Sequence, residues 1–138
     1  MPVYICNSKP NAVSVEASAK IAKDVTRIHC AVTGAPTSFV HVFFVEDADT
    51  YPRYDKGVLL MGSIRSGRTQ EQKNQLATEM AQSIHDHTGV PVAEIAVVTQ
   101  DTPASWVMEG GEIFPEPGEE AAWLAQQEAK HAAVDKDQ

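Results

Sequence analysis

The chain has 138 residues, 43% of them hydrophobic and 22% charged, the proportions of one globular domain large enough to bury a core. Nineteen acidic residues against eleven basic ones give a net charge of −8, which argues against a general nucleic-acid or anionic-membrane surface. Cys6 and Cys30 are too few for a disulfide scaffold and point to reduced thiols in a cytoplasmic protein, and neither a membrane-length apolar run nor a signal-peptide pattern stands out.

Residues 2–7 open the chain as a short apolar strand, Pro2-Val3-Tyr4-Ile5-Cys6-Asn7. Ser14 is the expected N-cap of a helix over 14–32, in which Val15, Ala19, Ala22, Val25 and Ile28 follow helical spacing. Gly34 and Pro36 stop it, and a strand follows over 38–46. Residues 48–56 read as a linker. A second strand–helix–strand run then spans 58–64, 69–87 and 93–99, with Thr69 and Gln72 forming a capping box and Gly89-Val90-Pro91 stopping the helix. Beyond residue 100 come Thr102-Pro103, a Gly110-Gly111 hinge, Phe114-Pro115-Glu116-Pro117-Gly118 and an amphipathic helix near residues 119–132 around Trp123 and Leu124. Residues 135–138 are expected to fray.

The two runs are copies of each other. At an offset of 55 and without gaps, Thr33-Gly34-Ala35-Pro36 falls on Thr88-Gly89-Val90-Pro91, Val3 on Val58, and Val42 on Val97. The reading is one domain over 1–138, with repeat 1 about 2–47, repeat 2 about 58–101 and an extension over 102–138. A right-handed βαβ unit used twice predicts an α+β fold with a four-stranded mixed sheet and two helices on one face. The other face, carrying residues such as Phe43, is then bare and apolar, which predicts self-association.

Four places carry residues suited to chemistry. Pro2, once Met1 is removed, presents a secondary amine on a rigid ring. Such α-amino groups titrate near ~8, and nearby cations lower them further, so the amine can take or give a proton. Arg65 and Arg68, three apart in Ile64-Arg65-Ser66-Gly67-Arg68, precede a helix N-terminus and suit a small carboxylate; the loop lacks a Walker lysine and spacing, and two solubility charges are the plainer alternative. Glu109 sits in Trp106-Val107-Met108-Glu109, where apolar neighbours would suit an acid to proton transfer, with a surface turn as the alternative; Trp106 is a candidate pocket wall. His29, from the residues alone, reads as a helix-end capping or surface histidine. The remaining histidines make no metal-ligand cluster with cysteine, so no metal or other cofactor is expected.

Pro2, His29, the Arg65–Arg68 loop, Met108-Glu109-x-Gly111 and Pro115-x-Pro117-Gly118, in that order, resemble the tautomerase superfamily, and within it the cis-3-chloroacrylic acid dehalogenase-like group. The resemblance covers most of the chain, from Met1-Pro2-Val3-Tyr4 through the Glu119-Glu120-x-x-Trp123 tail. It implies a fold like 4-oxalocrotonate tautomerase and macrophage migration inhibitory factor, a homotrimer, and a cofactor-independent enzyme. It also implies Pro2 as acid or base, Arg65 and Arg68 as ligands of a substrate carboxylate assisted by His29, and Glu109 as the group that activates water in hydrating members. One position departs. The dehalogenase pattern has tyrosine eleven residues before the glutamate; here that residue is Val98, which cannot hold or polarise water. The expected activity is therefore keto–enol tautomerisation of a 2-oxo acid of the phenylpyruvate type. Hydration or dehalogenation of an unsaturated C3 acid, decarboxylation of a 3-oxo acid, and a non-catalytic trimeric binding protein are the alternatives.

Overall fold

The computed structural model describes residues 2–136. In chain order the elements are β1 (Val3–Ser8), α1 (Val15–Thr33), β2 (His41–Glu46), β3 (Val58–Arg65), α2 (Gln70–Thr88), β4 (Ile95–Thr102), the two-residue strands β5 (Met108–Glu109) and β6 (Glu112–Ile113), and α3 (Glu120–Lys136). β1 to β4 form one sheet in the order β2-β1-β3-β4, with β1/β2 and β3/β4 parallel and β1/β3 antiparallel. The fold is α+β, as the duplicated pattern predicted.

Both long helices start and stop by the same devices. Ser14 accepts from the Ala17 amide at 3.0 Å, and Thr69 forms a full capping box with Gln72. Gly34 and Gly89 take left-handed φ of 77° and 75°, a conformation that strains any residue with a Cβ, and each amide returns to the last helical turn. Past each glycine, Pro36 and Pro91 lead into one 3₁₀ turn, Thr37–Phe39 and Val92–Glu94, before the strand begins. The expected strands at 38 and 93 therefore start later, at His41 and Ile95.

The repeat holds at an offset of 55 through the helices, the 3₁₀ turns and β2/β4, but slips by one at β1/β3. Val3 lies beside His41, whereas Leu59, not Val58, lies beside Ala96, the repeat partner of His41. The strand equivalence is thus 56, and the ungapped pairing of Val3 with Val58 is corrected. The cause is facing: Tyr4 and Cys6 point into the helix-side core, as do Val58, Leu60 and Ile64, and a slip of one would have turned them away from it.

Those strand residues pack against Ile21, Val25 and Ile28 of α1 and Leu76, Met80 and Ile84 of α2 in one continuous core. The opposite face carries no helix, and Phe43 on it is 56% exposed. A second, smaller cluster joins Phe39, Val107 and Phe114 to Trp123 and Leu124 of α3, so the C-terminal extension has an aromatic seat of its own. Gly110 and Gly111, at φ 61° and 83°, form the tight turn of the β5–β6 hairpin rather than a hinge. α3 runs through Lys136, where fraying was expected from residue 135; residues 137 and 138 lie outside the described residues. No helix among the described residues is long and apolar enough to cross a membrane.

Candidate active site

Pro2 extends β1 by one residue at the end of the sheet where β3 leads into α2. It is buried, its carbonyl accepts from the His41 amide at 2.9 Å, and it falls one step beyond the Val3–Ser63 pair, beside Ile64. Met1 lies outside the described residues. Two residues on, Tyr4 points to the helix side and its hydroxyl meets Nδ1 of His29 at 2.7 Å, with the rings edge to face. The Tyr4 ring lies over Gly62, directly across the strand pair. A Cβ there would sit 2.4 Å from Cε1 of Tyr4, so glycine is what admits the ring.

His29 is 1% exposed, which corrects its reading as a capping or surface residue. It continues the inward stripe Ile21, Val25, Ile28, the residue four after Val25. Burial first, then the positive charges of Arg68 and Arg65, lower its pKa to about 3. The imidazole is therefore neutral at physiological pH and offers one donor and one acceptor. Burial likewise pushes the Tyr4 phenol upward, so the pair is an uncharged hydrogen-bonded unit.

The two arginines stand in different surroundings. Arg68 projects from the turn before α2 toward the C-terminal end of α1, where one of its terminal nitrogens donates to the Thr33 carbonyl at 3.2 Å. Its Nε is buried and has no hydrogen-bond partner. Burial, followed by repulsion from Arg65, lowers its pKa, while Glu120 and Tyr4 act the other way. Arg65 is 1% exposed at its side chain and is held on three sides. It donates to the Pro115 carbonyl at 2.7 Å and to Oε1 of Glu120 at 2.8 Å, and its guanidinium lies 5.5 Å from the centre of the Phe39 ring. Two like charges and an unsatisfied N–H converging beside a neutral histidine make an environment that favours an anion.

Glu109 and Trp106 come from the segment after β4, with Glu109 beside the start of β1. Glu109, on β5, is 47% exposed at its side chain, and Oε2 is 3.3 Å from Nε2 of His41. It edges a cavity of about 240 Å³ shared with Phe39 and Trp123, and a second of about 300 Å³ shared with Val3 and Phe43. Its expected apolar setting is not formed by its sequence neighbours Met108 and Trp106, which are themselves exposed, Trp106 by 78%. Val98 lines a cleft of about 220 Å³ on the helix-free face with Val3, Ile5 and Met61.

The fold thus gathers His29, Arg65 and Arg68 at the sheet end where Pro2 stands, and sets Glu109 at the same end, against His41, whose amide bonds the Pro2 carbonyl; Trp106 faces outward. Sequence reasoning missed three contributors. Tyr4 passed as one more apolar strand residue. Gly62 had a signal, a glycine in mid-strand, that marks close approach. Glu120 stood in the tail that carries the resemblance but without a role, since it reaches Arg65 only through the tertiary fold.

Comparison with known proteins gives the family. A family model described as "Tautomerase enzyme" matches residues 40–108. A probable tautomerase of Lactococcus lactis, LL0574, is 43% identical over 47 residues, which are 34% of this chain and 77% of that protein. The crystal structure of N1, a member of the cis-3-chloroacrylic acid dehalogenase family, superposes with a TM-score of 0.81 at 27% identity, covering 96% of this chain and 99% of that one. A fused 4-OT described as a symmetric trimer superposes at 0.69 with 20% identity, over 81% and 94% of the two chains, which is a likeness of fold. The chain belongs to the tautomerase superfamily, in a group like that of cis-3-chloroacrylic acid dehalogenase.

Proposed function

We propose that the protein is a cofactor-independent tautomerase that uses Pro2 as a proton shuttle on the enol of a small 2-oxo acid of the phenylpyruvate type. The observation that carries this reading is the unpartnered, buried Nε of Arg68 beside neutral His29, at the end of the sheet where Pro2 begins β1. With Met1 removed, the Pro2 nitrogen faces cationic surroundings that favour its uncharged form. Arg68 and Arg65, with His29 beside them, hold the substrate carboxylate. The uncharged amine takes the proton of the enol hydroxyl while the C–O bond becomes a carbonyl, and the resulting prolinium returns that proton to the β-carbon. Atoms and charge balance without an added reactant.

The working unit in this proposal is a homotrimer in the cytoplasm. Support comes from the exposed apolar face around Phe43 and from the trimeric fused 4-OT of like fold. A neighbouring subunit would then bring apolar cover to Trp106 and Glu109, which the protomer leaves open.

Replacing Pro2 with Ala keeps an amine but loses the ring, and is expected to cut turnover of phenylenolpyruvate by ~10²–10⁴-fold, the usual worth of general acid–base catalysis. The assay uses protein whose N-terminus has been verified by mass spectrometry; unchanged turnover removes the proposal. Likeness to the dehalogenase family member favours a second reading, in which Glu109 activates water on an unsaturated C3 acid. Halide release from cis-3-chloroacrylate distinguishes it.

A further inference from the structure

Arg65 and Arg68 are treated alike by their spacing in the sequence, yet only Arg65 is locked. Its lock is the carboxylate of Glu120, at the first residue of α3. That carboxylate is itself fully engaged: Oε1 takes the Arg65 N–H at 2.8 Å and Oε2 takes the Gly118 amide at 2.8 Å. The hydrogen bonds and the charge of Arg65 hold Glu120 ionised against the effect of its burial. Arg65 has five N–H groups, and the contacts to Glu120 and Pro115 occupy one on each terminal nitrogen, so a second acceptor has N–H groups left to meet. Phe39 fixes the guanidinium plane from one side.

We propose that Glu120 is a positioning residue: it holds the Arg65 guanidinium in the plane and place where, with Arg68, it receives the substrate carboxylate. This rests on the reading above, that an organic anion binds between these arginines. The argument is geometric and electrostatic. A free arginine carries several rotatable bonds whose ordering would be charged against ligand affinity, and Glu120 settles that ordering in advance. Glu120 also offsets part of the repulsion between the two guanidinium groups, so that both stay close before any ligand arrives. The hydrophobic seat of Trp123 and Leu124 on Phe39 and Phe114 makes α3 a rigid mount for the carboxylate.

The test is binding, so that it reads separately from turnover. Calorimetric titration compares 3-phenylpropionate with 3-phenylpropionamide, molecules of like shape of which only the first is an anion. Wild type is expected to prefer the acid by at least about tenfold, within the range of a charged hydrogen bond. Glu120→Gln keeps the size but loses the charge and one acceptor oxygen. It is expected to weaken the acid about five- to tenfold and leave the amide unchanged. Trp123→Phe keeps an aromatic ring in the seat of α3 and removes only the indole N–H bond to the Ile113 carbonyl, 2.8 Å in the structure, and is expected to leave the preference intact. In a double-mutant cycle with Arg65→Gln, the loss from Glu120→Gln should disappear once Arg65 is gone, because the first acts through the second.

Equal weakening of acid and amide, an equal loss of preference in Trp123→Phe, additive losses in the cycle, or a wild type without preference for the acid would each overturn the assignment. If circular dichroism shows Glu120→Gln unfolded, Glu120→Asp takes its place. Aspartate keeps the charge but withdraws it by one methylene, and an Asp variant with full preference overturns the proposal. Failure of the Pro2 chemistry is read by turnover alone and leaves these affinities as they are.

Discussion

The two βαβ halves are built alike and equipped differently. α1 and α2 have 19 residues each, capped by Ser14 and Thr69 and stopped by Gly34 and Gly89 at nearly the same φ. Yet the structural partners of Tyr4 and His29 are Leu60 and Ile84, both fully buried and apolar, and the partner of Phe39 is Glu94. At that corresponding end the second half closes on its own carbonyls, with the Gly57 amide donating to the Glu94 carbonyl at 2.9 Å and the Lys56 ammonium to the Ala93 carbonyl. What the halves share is what the fold requires: caps, stops and apolar spacing. What they do not share is the polar pair buried beneath the arginines, and a core gains nothing in stability from such a pair over well-packed hydrocarbon.

The sharpest way to break this comparison is to convert the first half into the second with Tyr4→Leu and His29→Ile. In wild type the pKa of His29 is depressed when folded, so the unfolded chain binds a proton more readily. Stability is full above the unfolded value of about 6.5 and is lost as pH falls toward about 3. The slope approaches one proton, ~1.4 kcal/mol per pH unit. Urea denaturation at several pH values between 7 and 4 should show this slope in wild type and lose its His29 share in the double variant. Equal slopes would mean that His29 is not buried as described.

Gly62→Ala tests the Tyr4 seat. Because the added methyl group on a central strand meets the Tyr4 phenol ring, itself fully buried, it is expected to cost ~1–3 kcal/mol by overpacking. It should also weaken binding of the carboxylate ligand, since Tyr4 is what orients His29. The smallest effects sharpen the likeness rather than the contrast. Ser14→Ala and Thr69→Ala should each lower stability by ~1 kcal/mol, because each cap serves one helix of the same design. A several-fold difference between them, read from denaturation midpoints, would show that the halves do not contribute equally.

Much of this architecture was legible because its causes are local. Serine and threonine caps, glycine stops and 3.6-residue spacing act within a few positions, and duplication let each half check the other. The site was legible in part. Its arginines sit three apart, at the end of β3 and in the turn after it, and Pro2 announces itself by place. His29 was misjudged because a histidine near a helix end is commonly solvated, although its spacing from Val25 marked the buried face. Glu109 was expected among apolar side chains because its neighbours in sequence are Trp106 and Met108; Trp106 ends a 3₁₀ turn, Met108 opens a two-residue strand, and both face outward instead. The one-residue slip between β1 and β3 was hidden because Val3 and Val58 match in type. Only strand pairing, a long-range relation, reveals it. The grip of Glu120 on Arg65 crosses 55 residues and leaves no local trace.

That grip has a corollary for the terminal extension. A truncation that ends at Gly118 would leave the buried Arg65 guanidinium without its counter-ion and strip Phe39 and Phe114 of their aromatic cover. An uncompensated charge in such a place costs several kcal/mol, a large fraction of a domain's whole stability. The tail is therefore a keystone of the fold and not a removable appendix, and a shortened chain would have to relocate a cation before it could fold at all.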